Sequence, residues 1–342
     1  MYLAGNTSLQ LNYSLELDQD SCNKLHIFFK DTVKDVIAVS DTVVCAMNVL
    51  FSFIAVFANI IILYALCKAS SLHSPSKALL CSLALSDLGV GAIVQPLFVA
   101  YRWAHINDNL PELCTAGIIS HIEGSHFSAV SFLTMTAISL DRFLALLLRV
   151  RYHSVVTLKR VLAVLLVIWV LSGVWASLWA INQRIYSFIS ILLIPICFLI
   201  ALFSYIKIYF CLRRQTILMR RHAHASTSVE TLNGGGGTPS QIRYRKSVIS
   251  MFYLFCAFLL SYLPYLSHKI LVGILGWRTS MSVLFSFGLT LVYVNSSLNP
   301  LIYCWRITEI KQLVISILCA TKTAIWSAGN IVTPATPNEK QS

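Results

Sequence analysis

The run VVCAMNVLFSFIAVFANIIILYALC, residues 43–67, decides the fold because it contains no charged side chain. A helix of about 20 apolar residues is long enough to cross the hydrocarbon core of a bilayer. Six further mostly apolar windows lie at 78–101, 113–141, 161–183, 186–206, 247–268 and 281–303, and only the first two of these contain charged side chains. Of the 342 residues, 57% are hydrophobic and 12% are charged, about half the charged fraction of a soluble protein. The sequence therefore predicts an all-α membrane protein with a seven-transmembrane helix bundle over residues 43–303.

The basic residues predict how this bundle is oriented. With the N-terminus outside, the inner segments carry 19 of the 26 Lys and Arg residues, and the outer segments carry seven. Lysine and arginine accumulate in short cytoplasmic loops, so residues 1–42 are predicted to be extracellular, at the plasma membrane. The net charge of +12 then lies mainly at the inner surface. Anionic membrane lipids and a cytosolic partner explain this charge better than a nucleic acid does.

The segments outside the bundle carry candidate modification sites and a further predicted helix. Two N-x-S/T sequons, at Asn6 and Asn12, are candidates for glycosylation. Residues 304–320 alternate polar and apolar side chains at helical spacing, which predicts an amphipathic helix on the inner membrane surface. Cys319 is a candidate for palmitoylation, and a plain buried thiol is an equally good interpretation. The tail, 321–342, contains Thr, Pro and Ser and is predicted to be disordered.

One carboxylate lies in the middle of the second predicted span. An ionisable group there costs about 2.5–3.5 kcal/mol, so Asp87 is a candidate functional residue. Oxygen- and amide-bearing side chains that could face it from other helices are Asn59, Ser131, Asn295, Ser296 and Asn299. Such oxygens suit a small hard cation better than a transition metal. An interhelical hydrogen-bond network explains the same residues, and spacing alone leaves both interpretations open.

Short motifs occur in order along the predicted helices. Leu83-Ala84-Leu85-Ser86-Asp87 lies in the second, Asp141-Arg142-Phe143 closes the third, and Asn299-Pro300-Leu301-Ile302-Tyr303 ends the seventh. Single residues at matching positions in the first, fourth and sixth helices are Asn59, Trp169, Phe258 and Pro264. Together they resemble the L-A-x-x-D, D-R-Y and N-P-x-x-Y motifs of rhodopsin-like (class A) G-protein-coupled receptors. The resemblance covers about residues 43–320.

The resemblance implies a receptor that activates a heterotrimeric G protein when helix six swings outward, with arrestin and a receptor kinase as further partners. Asp141 would pair with Arg142 at rest, and Tyr205 would join Tyr303 in the active state. Two inner-loop residues, Val150 and Tyr152, hold positions that dock on the G protein. The sodium-pocket positions of the family are Asp87, Ser131, Asn295, Ser296 and Asn299, so the resemblance implies Na+ as an allosteric ion and no required cofactor. The helix-six switch would comprise Phe258, Tyr262 and Pro264, with Tyr262 in place of the family's tryptophan.

Cysteines depart from the family pattern. The usual third-helix cysteine is Gly117 here, so the usual bridge to the second outer loop cannot form. A bridge between Cys22 and Cys114 is an alternative in the oxidising exterior. The short second outer loop contains no cysteine, which resembles melanocortin and lipid-type receptors more than amine or peptide receptors.

The ligand is constrained mainly by exclusion. The family's amine counter-ion position is Gly124, and Tyr293 stands where opsins carry the retinal lysine. The predicted ligand-pocket residues are His121, Gly124, Ser125 and Ser128. A metal site at His121, Glu123 and His126 is disfavoured because the spacing scatters them around the helix. A small molecule, a lipid or a short peptide fits these constraints, and an environmental chemoreceptor is not separated from a hormone or neuromodulator receptor. A transporter, a channel and a membrane enzyme are the remote alternatives.

Overall fold

The computed structural model describes residues 34–70, 72–225, 239–275, 279–306 and 310–319. Seven helices in this part of the chain are long and apolar enough to cross a membrane. They are α1 (Lys34–Lys68), α2 (Ser74–Ile106), α3 (Leu110–Leu148), α4 (Leu158–Ile181), α5 (Gln183–Ala225), α6 (Pro239–Leu275) and α7 (Thr279–Arg306). A short apolar helix, α8 (Ile310–Cys319), follows α7. The predicted all-helical, seven-span fold is confirmed.

The helices are longer than the apolar windows that predicted them. Helix α3 begins at Leu110 and ends at Leu148, and α6 runs from Pro239 to Leu275, although their apolar windows cover only 113–141 and 247–268. Hydropathy marks only the part of a helix inside the hydrocarbon layer. Beyond that layer the backbone continues its own hydrogen bonds while polar side chains reach water and lipid headgroups.

Helix α2 contains a π-helical turn that the sequence analysis does not anticipate. The turn covers Val90–Val94, directly before the Gln95-Pro96 pair. A proline ring clashes with the carbonyl four residues earlier, and a π-turn relieves that clash. Gly91 in this turn packs against α1, where Ser52 donates a hydrogen bond to its carbonyl oxygen at 2.7 Å. A Cβ on Gly91 would lie 2.8 Å from the Cβ of Ala55, so glycine permits this close approach.

Helices α4 and α5 are joined by a single residue, Asn182. Its side-chain Oδ1 accepts hydrogen bonds from the backbone N–H groups of Arg184 and Ile185, both at 3.1 Å. Asparagine is a favoured N-cap because it satisfies these otherwise unpaired donors. The link therefore starts α5 immediately and contributes no lid over the outer end of the bundle.

The spanning helices differ in how much of their surface faces the protein interior. In α2 and α7, 67% of the spanning window is buried, against 17% in α4. Helix α4 exposes large apolar side chains such as Leu166 and Val174, as a helix in contact with lipid must. Of the polar side chains predicted to be functional, Asp87 lies on α2, and Asn295, Ser296 and Asn299 lie on α7, where other protein groups can satisfy them.

Candidate functional site

A cavity of about 570 Å³ lies between α3, α4, α5, α6 and α7, with Tyr101 of α2 also in its wall. The four residues predicted for a ligand pocket, His121, Gly124, Ser125 and Ser128, all line it. Aromatic side chains make up much of the remaining wall: Trp175, Trp179, Tyr186, Tyr262, Phe285 and Tyr293. This size and apolar lining are typical of small-molecule sites.

The lack of a side chain at Gly124 leaves room for the hydroxyl of Tyr293 in the cavity wall. A Cβ added there would meet the hydroxyl of Tyr293, and the next nearest atoms, Tyr293 Cζ and Val94 Cγ1, would both lie at 3.3 Å. Tyr293 is buried, so its ring has little freedom to move away. The absence of a side chain at position 124 is therefore a packing requirement, and a carboxylate would not fit there as the structure stands.

His121 is held within the cavity wall by its own helix and by two aromatic rings. Its Nδ1–H donates to the carbonyl oxygen of Gly117 at 2.7 Å. Its ring stacks on Trp179, with centroids 4.7 Å apart, and on Phe285, with centroids 5.7 Å apart. In the described residues no three His, Cys, Asp or Glu side chains come together as metal ligands. The planar ring of His121 therefore forms part of the cavity wall.

Tyr262 ties α6 to α3 beneath the cavity. Its hydroxyl donates a hydrogen bond to the carbonyl oxygen of Ser128 at 3.0 Å. Its ring lies 5.2 Å from Phe132 and stacks on Phe258 at 6.0 Å, centroid to centroid. The family resemblance shows only that a tyrosine stands here in place of the family's tryptophan. The structure shows that the tyrosine supplies a polar contact between helices that a phenylalanine would lack.

The polar residues predicted around Asp87 come together in the core. Asp87 is fully buried; its Oδ2 accepts a hydrogen bond from Asn299 Nδ2 at 2.6 Å, and its Oδ1 accepts one from Ser131 Oγ at 3.3 Å. Ser296 also donates to it. The Oδ1 atoms of Asn295 and Asn299 are buried and have no hydrogen-bond partner within the described part of the chain.

This arrangement fits the cation that the family resemblance implies. A buried carboxylate, hydroxyl oxygens and unpaired amide oxygens form a hard-oxygen donor set, which suits Na+. Within the described ranges no basic side chain forms a salt bridge with Asp87. The hydrogen-bond network and the ion site are therefore compatible. The network donates some hydrogen bonds to the Asp87 carboxylate, and the amide oxygens of Asn295 and Asn299 stay available to an ion.

At the inner end of α3, Asp141 holds Arg142 within a compact polar cluster. Arg142 Nη2 lies 2.6 Å from Asp141 Oδ2 and also donates to Ser76. Asp141 Oδ2 accepts a second bond from Ser76 Oγ at 3.0 Å, and its Oδ1 accepts one from the hydroxyl of Tyr152 at 2.6 Å. Of the two residues predicted to face the G protein, Val150 is 93% exposed, whereas Tyr152 is buried against Asp141. Tyr152 therefore holds this cluster closed.

The two tyrosines expected to meet in an active state are apart here. The hydroxyl of Tyr205 accepts a bond from Ser139 Oγ at 3.2 Å, and its ring packs against Phe255 at 5.4 Å between centroids. Tyr303 is wholly buried, and its hydroxyl has no hydrogen-bond partner among the residues described. Pro264 lies inside α6, between the cavity-lining residues Tyr262 and Tyr265.

An ion cluster at the outer end of the bundle escapes sequence analysis. Arg102 and Asp41 are 0% and 1% exposed, and Arg102 Nη1 lies 3.4 Å from Asp41 Oδ1. His105 Nδ1 lies 2.7 Å from Asp41 Oδ2, and Arg102 also donates to Ser286 of α7. The hydropathy windows place Asp41 and Arg102 at the outer membrane surface. Only interhelical packing shows that they join α1, α2 and α7.

The predicted modification sites lie partly outside the described residues. Cys114 is disulfide-bonded, while Cys22, its proposed partner, lies outside the described ranges, as do Asn6 and Asn12. Cys319 is the last residue of α8, and its side chain is exposed. The bridge, the glycosylation and the palmitoylation therefore stay predictions.

Seven spanning helices, an outer cavity and an inner Asp–Arg cluster together define a seven-transmembrane receptor. The chain matches the model for "7 transmembrane receptor (rhodopsin family)" over residues 58–187 and 177–303. The protein belongs to this family, which consists of receptors and not of enzymes.

Similar proteins include melanocortin receptor 3 from three mammals. The identity is 24% over 275 residues for Rattus norvegicus, 25% over 277 for Mus musculus and 24% over 282 for Homo sapiens. In each case the match covers 78% of this chain and 82% of the relative. The resemblance to class A receptors stated from the motifs is thus confirmed, as is the likeness to melanocortin receptors.

Proposed function

We propose that this receptor, at the plasma membrane, binds an extracellular ligand in the cavity and activates a heterotrimeric G protein at its inner end. The contact between Tyr262 and Ser128 carries the proposal because it joins the cavity floor to α6. A ligand in the cavity can favour or oppose this contact. The 24–25% identity to melanocortin receptors supports the receptor class, and the residues of the cavity wall determine which ligand fits.

The inner end corresponds to a resting state in this proposal. Arg142 is occupied by Asp141 and Ser76, so its guanidinium is not presented to a partner. Outward movement of α6 would open the inner face, free Arg142 and allow Tyr205 to approach Tyr303. Pro264 interrupts the backbone hydrogen bonds of α6, which makes such a movement cheaper than in an unbroken helix.

The ligand and the G protein act on one equilibrium between the two shapes. A ligand shifts this equilibrium only by the difference between its affinities for the two shapes. The coupling between ligand and G protein is reciprocal and typically amounts to about 1–3 kcal/mol. Bound Na+ would supply positive charge to the Asp87 carboxylate and favour the resting shape. Asp87, Ser131 and the unpaired amide oxygens of Asn295 and Asn299 are the residues that would hold it.

The proposal is tested by nucleotide exchange on a panel of purified Gα subunits, with receptor-containing membranes. We expect Arg142→Ala to abolish receptor-dependent exchange while surface expression is retained. Lys159→Ala is the matched control, because Lys159 is an exposed cation at the inner end of α4, outside the Asp141 cluster. Exchange that is unchanged in Arg142→Ala, or lost equally in Lys159→Ala, would contradict the assignment.

A further inference from the structure

The charge inside the cavity points to a class of ligand, if the cavity is the ligand site as proposed above. We propose that it selects an amphiphile with a single carboxylate, and that Lys269 of α6 is the counter-charge for that group. Three features of the cavity support this ligand class: the surroundings of Lys269, the charges of the wall and the apolar surface of the rest of the wall.

Lys269 lines the cavity and is half-buried. Its Nζ lies 5.1 Å from the ring centroid of Tyr186 and 5.6 Å from that of Tyr265. Aromatic faces attract a cation but neutralise none of its charge. No salt bridge involves Lys269 in the described residues. A cation held against aromatic rings in an apolar wall is stabilised when an anion enters.

Among the described residues that line the cavity, none is an Asp or a Glu, so they supply no competing negative charge. Glu123 is next to the wall residue Gly124 on α3, yet it is not part of the lining. A cationic ligand would meet Lys269 without any carboxylate to offset the repulsion. An anionic ligand would meet a single charge, with the neutral polar groups of Gln183 and Ser187 in the same wall as additional donors.

The rest of the wall favours an apolar body attached to that anion. Trp175, Trp179, Phe285 and Leu289 contribute flat or aliphatic surface. A volume of about 570 Å³ accommodates a molecule of drug size, larger than a simple inorganic anion. Charge at one point and apolar surface elsewhere describe a carboxylate-bearing amphiphile.

The experiment measures the melting temperature of the purified full-length receptor with matched pairs of probes. The probes are straight-chain carboxylic acids of roughly 10 to 18 carbons and arylalkanoic acids, each compared with its methyl ester. We expect at least one acid to raise the melting temperature in a saturable manner while its ester does not. Lys269→Met should weaken that acid at least about tenfold, because a charge-assisted hydrogen bond is lost. Lys269→Arg should retain most of the effect.

Lys207→Met is the matched control. Lys207 on α5 also lies over an aromatic ring, 5.3 Å from the centroid of Phe203, but it is exposed and outside the cavity. Acid and ester acting equally, acid binding unchanged in Lys269→Met, or no acid stabilising the wild-type receptor would each overturn the proposal. The same preparations are assayed for nucleotide exchange. If nucleotide exchange depends on Arg142 but no acid binds, only the ligand class is refuted. If an acid binds but no Arg142-dependent exchange is seen, only the proposed function is refuted.

Discussion

Replacing Tyr262 with phenylalanine removes one hydroxyl from the contact between α6 and α3. The bond lost is the one donated to the carbonyl oxygen of Ser128 at 3.0 Å. Phenylalanine retains the ring that packs on Phe132 and Phe258, so the cavity floor keeps its shape. The Ser128 carbonyl lies within α3, and its helical hydrogen bond is available in either variant. The change therefore isolates one interhelical hydrogen bond.

The size of the effect follows from that single bond. A neutral hydrogen bond contributes about 0.5–1.5 kcal/mol net. If it exists only in the resting shape, its loss moves the equilibrium toward the active shape by the same amount. While the active fraction is small, basal nucleotide exchange should rise by about 2- to 10-fold.

The assay is basal GTPγS binding in membranes, normalised to the amount of receptor at the surface. Tyr209→Phe is the control, since Tyr209 is 61% exposed on α5 and its loss of a hydroxyl leaves the α3–α6 contact intact. Basal exchange at the wild-type level, or below it, in Tyr262→Phe would refute the role of this hydroxyl in holding α6. A lower melting temperature without faster exchange would show that the bond stabilises both shapes alike.

Two further changes test the core and the cavity wall. The melting temperature of the wild-type receptor should be higher in sodium chloride than in choline chloride at equal ionic strength, because a bound ion stabilises the folded state; Asp87→Asn should abolish that difference. An equal difference in both proteins would exclude Asp87 as a ligand of the ion. Gly124→Ala should lower the free energy of unfolding by about 1–3 kcal/mol, since its methyl group would meet the Tyr293 hydroxyl. Tyr293→Phe in the same chain should restore part of that loss, and strictly additive effects in thermal unfolding would rule out the clash.

Residue spacing predicts some of the residues that line the cavity and misses others. Counting back from Arg142 places His121, Gly124, Ser125 and Ser128 on the outer half of α3, and all four line the cavity. The same counting leaves out Lys269, which comes from α6 and carries the cavity's distinctive charge. Spacing along one helix reports which residues share a depth. It does not report which side chains from other helices share the space.

The inner face gives a second example of this limit. Motif order identifies Asp141 and Arg142, and the two side chains pair as expected at 2.6 Å. The family resemblance also assigns Tyr152 to the surface that docks on the G protein, and this stays a prediction; in the structure its ring is buried and its hydroxyl is bonded to Asp141. The rotation of the short helix Tyr152–Val155 against α3 decides the burial of this ring, and four residues are too few to show a periodicity from which it could be inferred.

By itself, the sequence determined the number of spans and the receptor class, and it predicts their orientation. Each span must satisfy its own backbone hydrogen bonds and match the bilayer thickness, and these local requirements are visible as mostly apolar runs of about 20 residues. Only the tertiary structure decided that the Tyr262 hydroxyl bonds to the Ser128 carbonyl, and that Asp41 and Arg102 form a buried salt bridge. Hydropathy is unchanged when a helix rotates about its axis. The partners across helices are set by that rotation, which follows from the packing of side chains between neighbouring helices.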